Sequence, residues 1–398
     1  MKLSALNHKD FRIYVAGNLF ALNALWMQRI TIGWIAWELT RSATFVGFIA
    51  FINFVPTMIM GPLFGVLIDR VRIKHAALAT QSLLFVVALG FYLFFVLEIL
   101  NETTLTIISA LSGLIASAHN PVRMSLGPRL VEKSSVASVI TIGAINFNLA
   151  RLTGPALGGW LITVWGVSTA LFVQTVCYLP FIIAISRLNP RQRSSSKDSP
   201  EPFRRALITG ILYIAKNPFI RRIILFTTLF AFIIRGTLEI LPVIADGVFS
   251  KGAIGLGILT SCAGFGALIA GMAKAIMPNQ LTGHIPLTTF ISALLGVSLV
   301  PVVGFSNLWE LTLISVALLG FVGTYSAVSM QTAIQIDLDD DLRGRVMSLW
   351  IMVSIGAAAL GALIMGGLAD YLGYSLTLSL TGIMGLILLM PFIFYLRK

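Results

Sequence analysis

Charge is what this sequence has least of. Only 11% of its 398 residues are Asp, Glu, Lys or Arg, against about 25% in an ordinary water-soluble domain. With 57% of the residues hydrophobic, a soluble globular fold is excluded, because too few charged groups remain to cover its surface. Cysteine is nearly absent. Cys177 and Cys262 both fall inside apolar runs, which argues against a disulfide framework and leaves them as small apolar packing residues. Four histidines are present, and no His, Cys and Asp group has the spacing of a metal site. No Gly-rich loop ends in Gly-Lys-Ser/Thr, so ATP is not the energy source. No carboxylate is partnered with a nucleophile. These gaps point away from an enzyme, and neither a cofactor nor a metal is expected.

What the sequence has instead is long apolar runs. A hydrocarbon core of about 30 Å needs about 20 helical residues to cross it. Twelve runs have this character, near 11–37, 44–68, 76–97, 104–128, 136–164, 167–187, 219–245, 254–277, 285–305, 308–335, 344–369 and 374–396. Their length and lack of two-residue alternation favour helices over barrel strands. The reading is an all-α polytopic membrane protein of two six-helix bundles, residues 1–188 and 219–398. Lys2 and Lys9 precede a first run too long for a cleavable leader, so that run is expected to stay as helix one. Between the bundles, "NPRQRSSSKDSPEPFRR" (residues 189–205) reads as a solvated linker. Leu207, Ile208, Ile211 and Leu212 then recur at helical spacing, with Arg204, Arg205 and Lys216 at the ends. This pattern predicts an amphipathic helix on the membrane surface within the linker region 189–218, or an early start to helix seven.

Basic residues set the orientation. With the N-terminus inside, the cytoplasmic segments hold 22 of the 28 Lys and Arg residues and the outer loops only Arg41 and Lys251. Both termini are therefore expected in the cytoplasm of a bacterial inner membrane. The net charge of +12 follows from this bias, and nucleic-acid binding need not be invoked. The halves also echo each other: "GPALGGWL" from Gly154 and "GALIMGGLAD" from Gly361 place Gly158-Gly159 and Gly366-Gly367 in corresponding runs. Such repeats are a common plan for secondary transporters.

A dense cluster of charge, "GVLIDRVRIKH" (residues 65–75), lies between the second and third runs. Anchoring accounts for Arg70, Arg72 and Lys74 but not for Asp69. This stretch resembles the signature loop of the major facilitator superfamily. "ARLTGPALGG" (150–159) resembles that superfamily's helix-five antiporter motif, with Gly154, Pro155, Gly158 and Gly159 in place and Ala150 where a glycine is usual. "DFRIYVAGN", "WMQRITIGWIAWELTRSA", "NPVRMSLGPRLV", "INFNLARLTGPALGG", "NPFIRRIILF" and "DLRGRVMSLW" resemble the enterobactin-exporter-like branch of siderophore and multidrug exporters. The resemblance implies a conformational latch of Gly65, Asp69, Arg70, Arg72, Gly344 and Arg345, in which Asp69 meets the start of helix eleven and its dipole. Asp337 to Asp341 are candidate acidic partners or simply a solvated loop. The matching loop of the second half, "GMAKAIMPNQ", keeps little of the motif, so the latch is expected on one side only.

Charges inside the runs carry the most functional information, because each is costly in lipid unless it faces a partner or a wet cavity. Arg29, Arg151 and Arg235 lie in helices one, five and seven, and suggest a cavity of positive potential that favours anionic or catecholate-like substrates. Arg151 also borders the helix-five motif and could serve only to hold helices together. Glu239 lies one turn beyond Arg235. The pair is either a structural ion pair or a proton-coupling site. His119 and Arg123 flank Asn120-Pro121 in helix four; His119 reads as a packing residue or a group titrating near neutral pH. Trp26, Met27, Asn146, Asn148, Tyr325 and Trp350 are further cavity candidates, since aromatic and Met side chains suit an adaptable pocket. Each alone also reads as packing.

The expected function is secondary active export: proton antiport of small amphipathic, anionic molecules such as siderophores or antibiotics, by alternating access. The alternatives are import by symport on the same fold, and a receptor or scaffold without transport, which the short segments flanking the first and last runs disfavour. Expected partners are the lipid bilayer, a small-molecule substrate and protons. A monomer is expected, with an outer-membrane efflux partner left open.

Overall fold

A computed structural model of the chain describes residues 4–67, 71–191, 203–276, 286–336, 338 and 340–395. Every described element is helical, as a chain that must satisfy its backbone in lipid requires. The main helices are α1 (Lys9–Thr40), α2 (Ala43–Leu67), α3 (Ile73–Val96), α4 (Glu102–Leu126), α5 (Val136–Val176) and α6 (Leu179–Arg187). There follow α7 (Phe203–Lys216), α8 (Pro218–Phe230), α9 (Gly236–Glu239), α10 (Gly252–Ile276), α11 (Leu287–Phe305), α12 (Trp309–Ile336), α13 (Asp340–Leu372) and α14 (Tyr374–Leu389). Helix occupies each of the twelve predicted runs. Among the described residues, nine segments are long and apolar enough to cross a membrane. One of them, Lys133–Arg187, covers both the fifth and sixth runs; its helix breaks at Gly166, whose φ of 83° only glycine adopts without strain.

The seventh run is not the single straight helix its composition suggests. α8 passes into a π-helical turn at Ala231–Arg235, then the short α9, then a second π-helical stretch at Val243–Val248 after Pro242. Proline lacks the N–H that would continue the ladder, and π turns absorb the extra residue.

Contacts divide the chain into two units. The first comprises Met1–Leu39, Val55–Lys197 and Ser250–Ser261; the second comprises Thr40–Phe54, Asp198–Phe249 and Cys262–Lys398. Thus the start of α2 packs with the second unit and the start of α10 with the first. Small residues explain both exchanges, since helices in lipid associate where backbones can approach closely. A Cβ on Gly47 or Gly366 would run into the Ala362 or Ala43 carbonyl, so α2 lies directly on α13. A Cβ on Gly159 would meet the Ala253 oxygen at 2.6 Å and Gly257 Cα at 2.9 Å, so α10 lies directly on α5.

Aromatic rings fill the interior of each unit. In the first, Tyr14 stacks on Phe11 and meets Phe181 edge-on, and in the second Phe226 meets Phe230, Phe290 and Phe392. The outward faces are also apolar: Val86, Ile140, Leu225, Ile314 and Ile387 are each more than half exposed. In water such a surface would aggregate; in lipid it needs no cover. α7 lies where the amphipathic helix is expected. Its Ile208, Ile211 and Leu212 are exposed, while a Cβ on Gly210 would meet Leu349 of α13 at 2.8 Å.

The start of α2 is capped from α13. Asp370 accepts hydrogen bonds from Ser42 Oγ (2.6 Å), Ala43 N (2.8 Å) and Thr44 N (2.9 Å), and the Ser42 hydroxyl oxygen accepts from Phe45 N (3.2 Å). Three otherwise orphaned amides are thereby satisfied. Beside them Arg41 pairs with Asp246. Asp370→Ala is expected to destabilise the protein by about 1–2 kcal/mol, the usual cost of losing a cap. Thermal unfolding in detergent measures this, and an unchanged midpoint would show the cap to be redundant.

Candidate substrate-binding site

In the first unit the structure brings together three of the predicted cavity residues. Trp26 and Arg29 sit three apart on α1, hence on one face, and Arg151 reaches them from α5. The Arg29 and Arg151 guanidinium carbons lie 5.4 and 5.7 Å from the Trp26 ring centroid, within cation–π range. Trp26 Nε1 is buried and has no hydrogen-bond partner among the described residues. Phe147 packs edge-on against Trp26 at 5.9 Å. Sequence reading did not single it out, although its place four residues before Arg151 puts it on the same face of α5.

The helix-five motif makes this cluster possible. A Cβ on Gly154 would sit 2.6 Å from Trp26 Cβ and 3.2 Å from the Asn23 carbonyl, so any side chain there would lever α1 away. One turn on, a Cβ on Gly158 would lie 3.5 Å from Met27 Cα. On the opposite face Gly159 meets Gly257, and the Pro155 carbonyl oxygen would lie 2.7 Å from a Cβ on Gly257. Thr153 Oγ1 is 2.8 Å from Asn23 Oδ1, and Ser261 Oγ donates to the Leu152 carbonyl at 2.8 Å. The motif thus serves α5 on two faces, toward α1 and toward α10.

Other candidates fall elsewhere. Met27 is only 1% exposed and packs in the core. Asn146 Nδ2 donates to the Val15 carbonyl at 3.1 Å, tying α5 to α1, and Asn148 Nδ2 donates back to Ala144 of its own helix at 2.9 Å. In the second unit Trp350 Nε1 donates to Thr227 Oγ1 at 3.1 Å, a buried link from α13 to α8. Tyr325, stacked on Phe321, carries the Lys274 ammonium 4.3 Å above its ring. The sequence offered Lys274 only as part of the inside positive charge. Arg235 Nη1 donates to Ser354 Oγ of α13 at 3.3 Å, and Glu239 ends α9, both side chains half-buried. Asp69 and Arg70 of the latch lie outside the described residues. Gly65 lies within α2, Arg72 is exposed just before α3, and Gly344 and Arg345 lie within α13.

A polar seam that the sequence did not reveal runs through the first unit. Tyr178 OH donates to Gln28 Oε1 (2.7 Å), Gln28 Nε2 to Ser112 Oγ (2.9 Å), and Thr31 lies hydrogen-bonded to Gln174 (2.9 Å). Such bonds fasten apolar helices at fixed heights.

Comparison with known proteins fits this architecture. A family model described as transmembrane secretion effector matches residues 1–398. The staphyloferrin A transporter of Staphylococcus aureus is 24% identical over 94% of this chain and 93% of its own. The enterobactin exporter EntS of Escherichia coli is 24% identical over 83% of this chain and 77% of its own. Among solved structures, the nucleoside transporter NupG superposes with a TM-score of 0.77 at 11% identity, over 98% of this chain and 100% of its own. A bacterial homologue of the lysosomal transporter Spinster gives 0.72 at 14% identity, over 98% and 97%. These are membrane transporters, not enzymes. Matched over its whole length and built of membrane-spanning helices, the chain belongs to the transmembrane secretion effector family of the major facilitator superfamily.

Proposed function

We propose that the protein is a proton-driven exporter of small anionic, amphipathic molecules of the siderophore type, seated in the bacterial cytoplasmic membrane with both termini inside. The observation that carries this reading is the pair of guanidinium groups, Arg29 and Arg151, held 5.4 and 5.7 Å from the one Trp26 ring. Two positive charges held side by side attract a negatively charged ligand and repel a lipophilic cation. The names of the relatives in Staphylococcus aureus and Escherichia coli support a siderophore substrate. In this reading Glu239, one turn beyond Arg235, is the group that exchanges protons as substrate is exported.

Everted membrane vesicles test the direction. They should accumulate a siderophore when energised and lose it on addition of a protonophore; accumulation in right-side-out vesicles instead would make the protein an importer. Glu239→Gln should abolish the protonophore-sensitive part and leave downhill exchange intact. Normal energised transport by that variant across pH 6–8 would remove Glu239 from the coupling mechanism.

A further inference from the structure

We propose that α7 and the turn after it form a docking surface for anionic phospholipid headgroups. The apolar part of the surface is a stripe. Ile208, Ile211 and Leu212 are 45%, 49% and 53% exposed, and Ala215 is exposed beside them. At about 100° per residue these four fall on one side of the helix. Gly210 falls on the other side and is buried, where a Cβ would meet Leu349 Cδ1 at 2.8 Å and Arg345 Cβ at 3.5 Å. α7 therefore lies on α13 beside Arg345, the residue at which the membrane-crossing part of α13 begins. That is the level at which spanning helices pass from hydrocarbon to headgroups.

Charge selects what covers the stripe. Residues 202–222 contain five basic residues and no acidic one. Two of the five, Lys216 and Arg221, are exposed, and among the described residues neither is ion-paired. Lys216 comes one turn after Leu212, at the edge of the stripe. Arg221 folds back onto the end of α7, where its Nη1 donates to the Ala215 carbonyl at 3.2 Å. That single bond leaves most of its five N–H donors for phosphate oxygens.

The turn between the two cations is fixed. Asn217 Oδ1 accepts from Phe219 N at 3.0 Å and Ile220 N at 3.2 Å, and Pro218 opens α8. Both charges are thus held at the C-terminal end of the stripe, where they also complement the last carbonyls of α7. A helix with an apolar stripe and basic groups beside it lies in the membrane interface and binds more tightly where the headgroups are anionic. Each basic residue near such a surface is worth about fivefold in affinity.

Fluorescence quenching on the full-length protein tests the surface, with Cys177→Ser and Cys262→Ser and a bimane label introduced through Ala215→Cys. In phosphatidylcholine vesicles, trace phosphatidylglycerol with a nitroxide just below its headgroup should quench at least about tenfold more, mole for mole, than equally labelled phosphatidylcholine. Lys216→Gln/Arg221→Gln should reduce that preference at least about fivefold, as should screening by about 0.5 M salt. Lys9→Gln/Arg12→Gln removes two exposed charges from the start of α1 and should leave it unchanged. If Arg221→Gln does not fold, Lys216→Gln alone decides the matter by lowering the preference severalfold. Equal quenching by the two lipids in the parent protein, or an undiminished preference in Lys216→Gln, would overturn the surface. So would quenching by neither lipid, which would mean that the stripe faces water or a second copy of this chain. Both vesicle leaflets have one composition, so the result depends on neither the orientation nor the substrate proposed above.

Discussion

Replacing Arg29 and Arg151 together with glutamine is expected to reduce transport of an anionic substrate by at least a hundredfold, at undiminished protein level. Each hydrogen bond to a charged partner is worth about 1.5–3 kcal/mol. Two of them together reach about 3 kcal/mol or more, and every 1.4 kcal/mol is about tenfold in affinity. The single variants should fall between, and Lys at either position should recover part of the loss by keeping the charge without the planar fork. Initial rates in everted vesicles, against substrate concentration, separate a change in affinity from a change in turnover. Wild-type transport by the double variant would reduce both arginines to helix packing around Trp26, and would withdraw the positive site from the functional reading.

The largest expected effect on stability lies in the second unit, at Gly320. A Cβ there would run into the Ala263 carbonyl, and one on Gly266 into the Ala317 carbonyl, so α10 and α12 cross with their backbones in contact. Overpacking by even one methyl costs about 1–3 kcal/mol, and a leucine must part the helices. Gly320→Leu is therefore expected to leave almost no monodisperse protein after solubilisation. Gly323→Ala is the control on the same helix: the nearest atom to its Cβ would be Ile234 Cγ2 at 3.8 Å, an ordinary contact. Size-exclusion profiles of the two variants measure the difference. Equal profiles would show that the crossing relaxes without cost.

The candidate site was partly legible along the chain. Arg29, Arg151 and Trp26 stood out because charge and ring size are visible residue by residue in an apolar background. Gly154 stood out by its motif, and the structure gives that glycine a physical task, the close approach of α5 to Trp26. Phe147 was hidden because a phenylalanine in an apolar run carries no contrast. Lys274 read as topology charge until Tyr325 appeared beneath it.

The sequence by itself determined that this chain is helical and membrane-spanning. A bilayer admits only segments that satisfy their own backbone over about 20 apolar residues, and both conditions are written in one dimension. The skew of 22 basic residues to two likewise needs no coordinates to suggest an orientation. Only the tertiary structure decided which faces meet. Helices that are apolar all round show no preferred side, and lipid offers no hydrophobic drive to choose one. The choice rests on small residues and isolated polar groups whose partners lie far along the chain: Gly154 with Trp26, Gly320 with Ala263, and Asp370 with the start of α2.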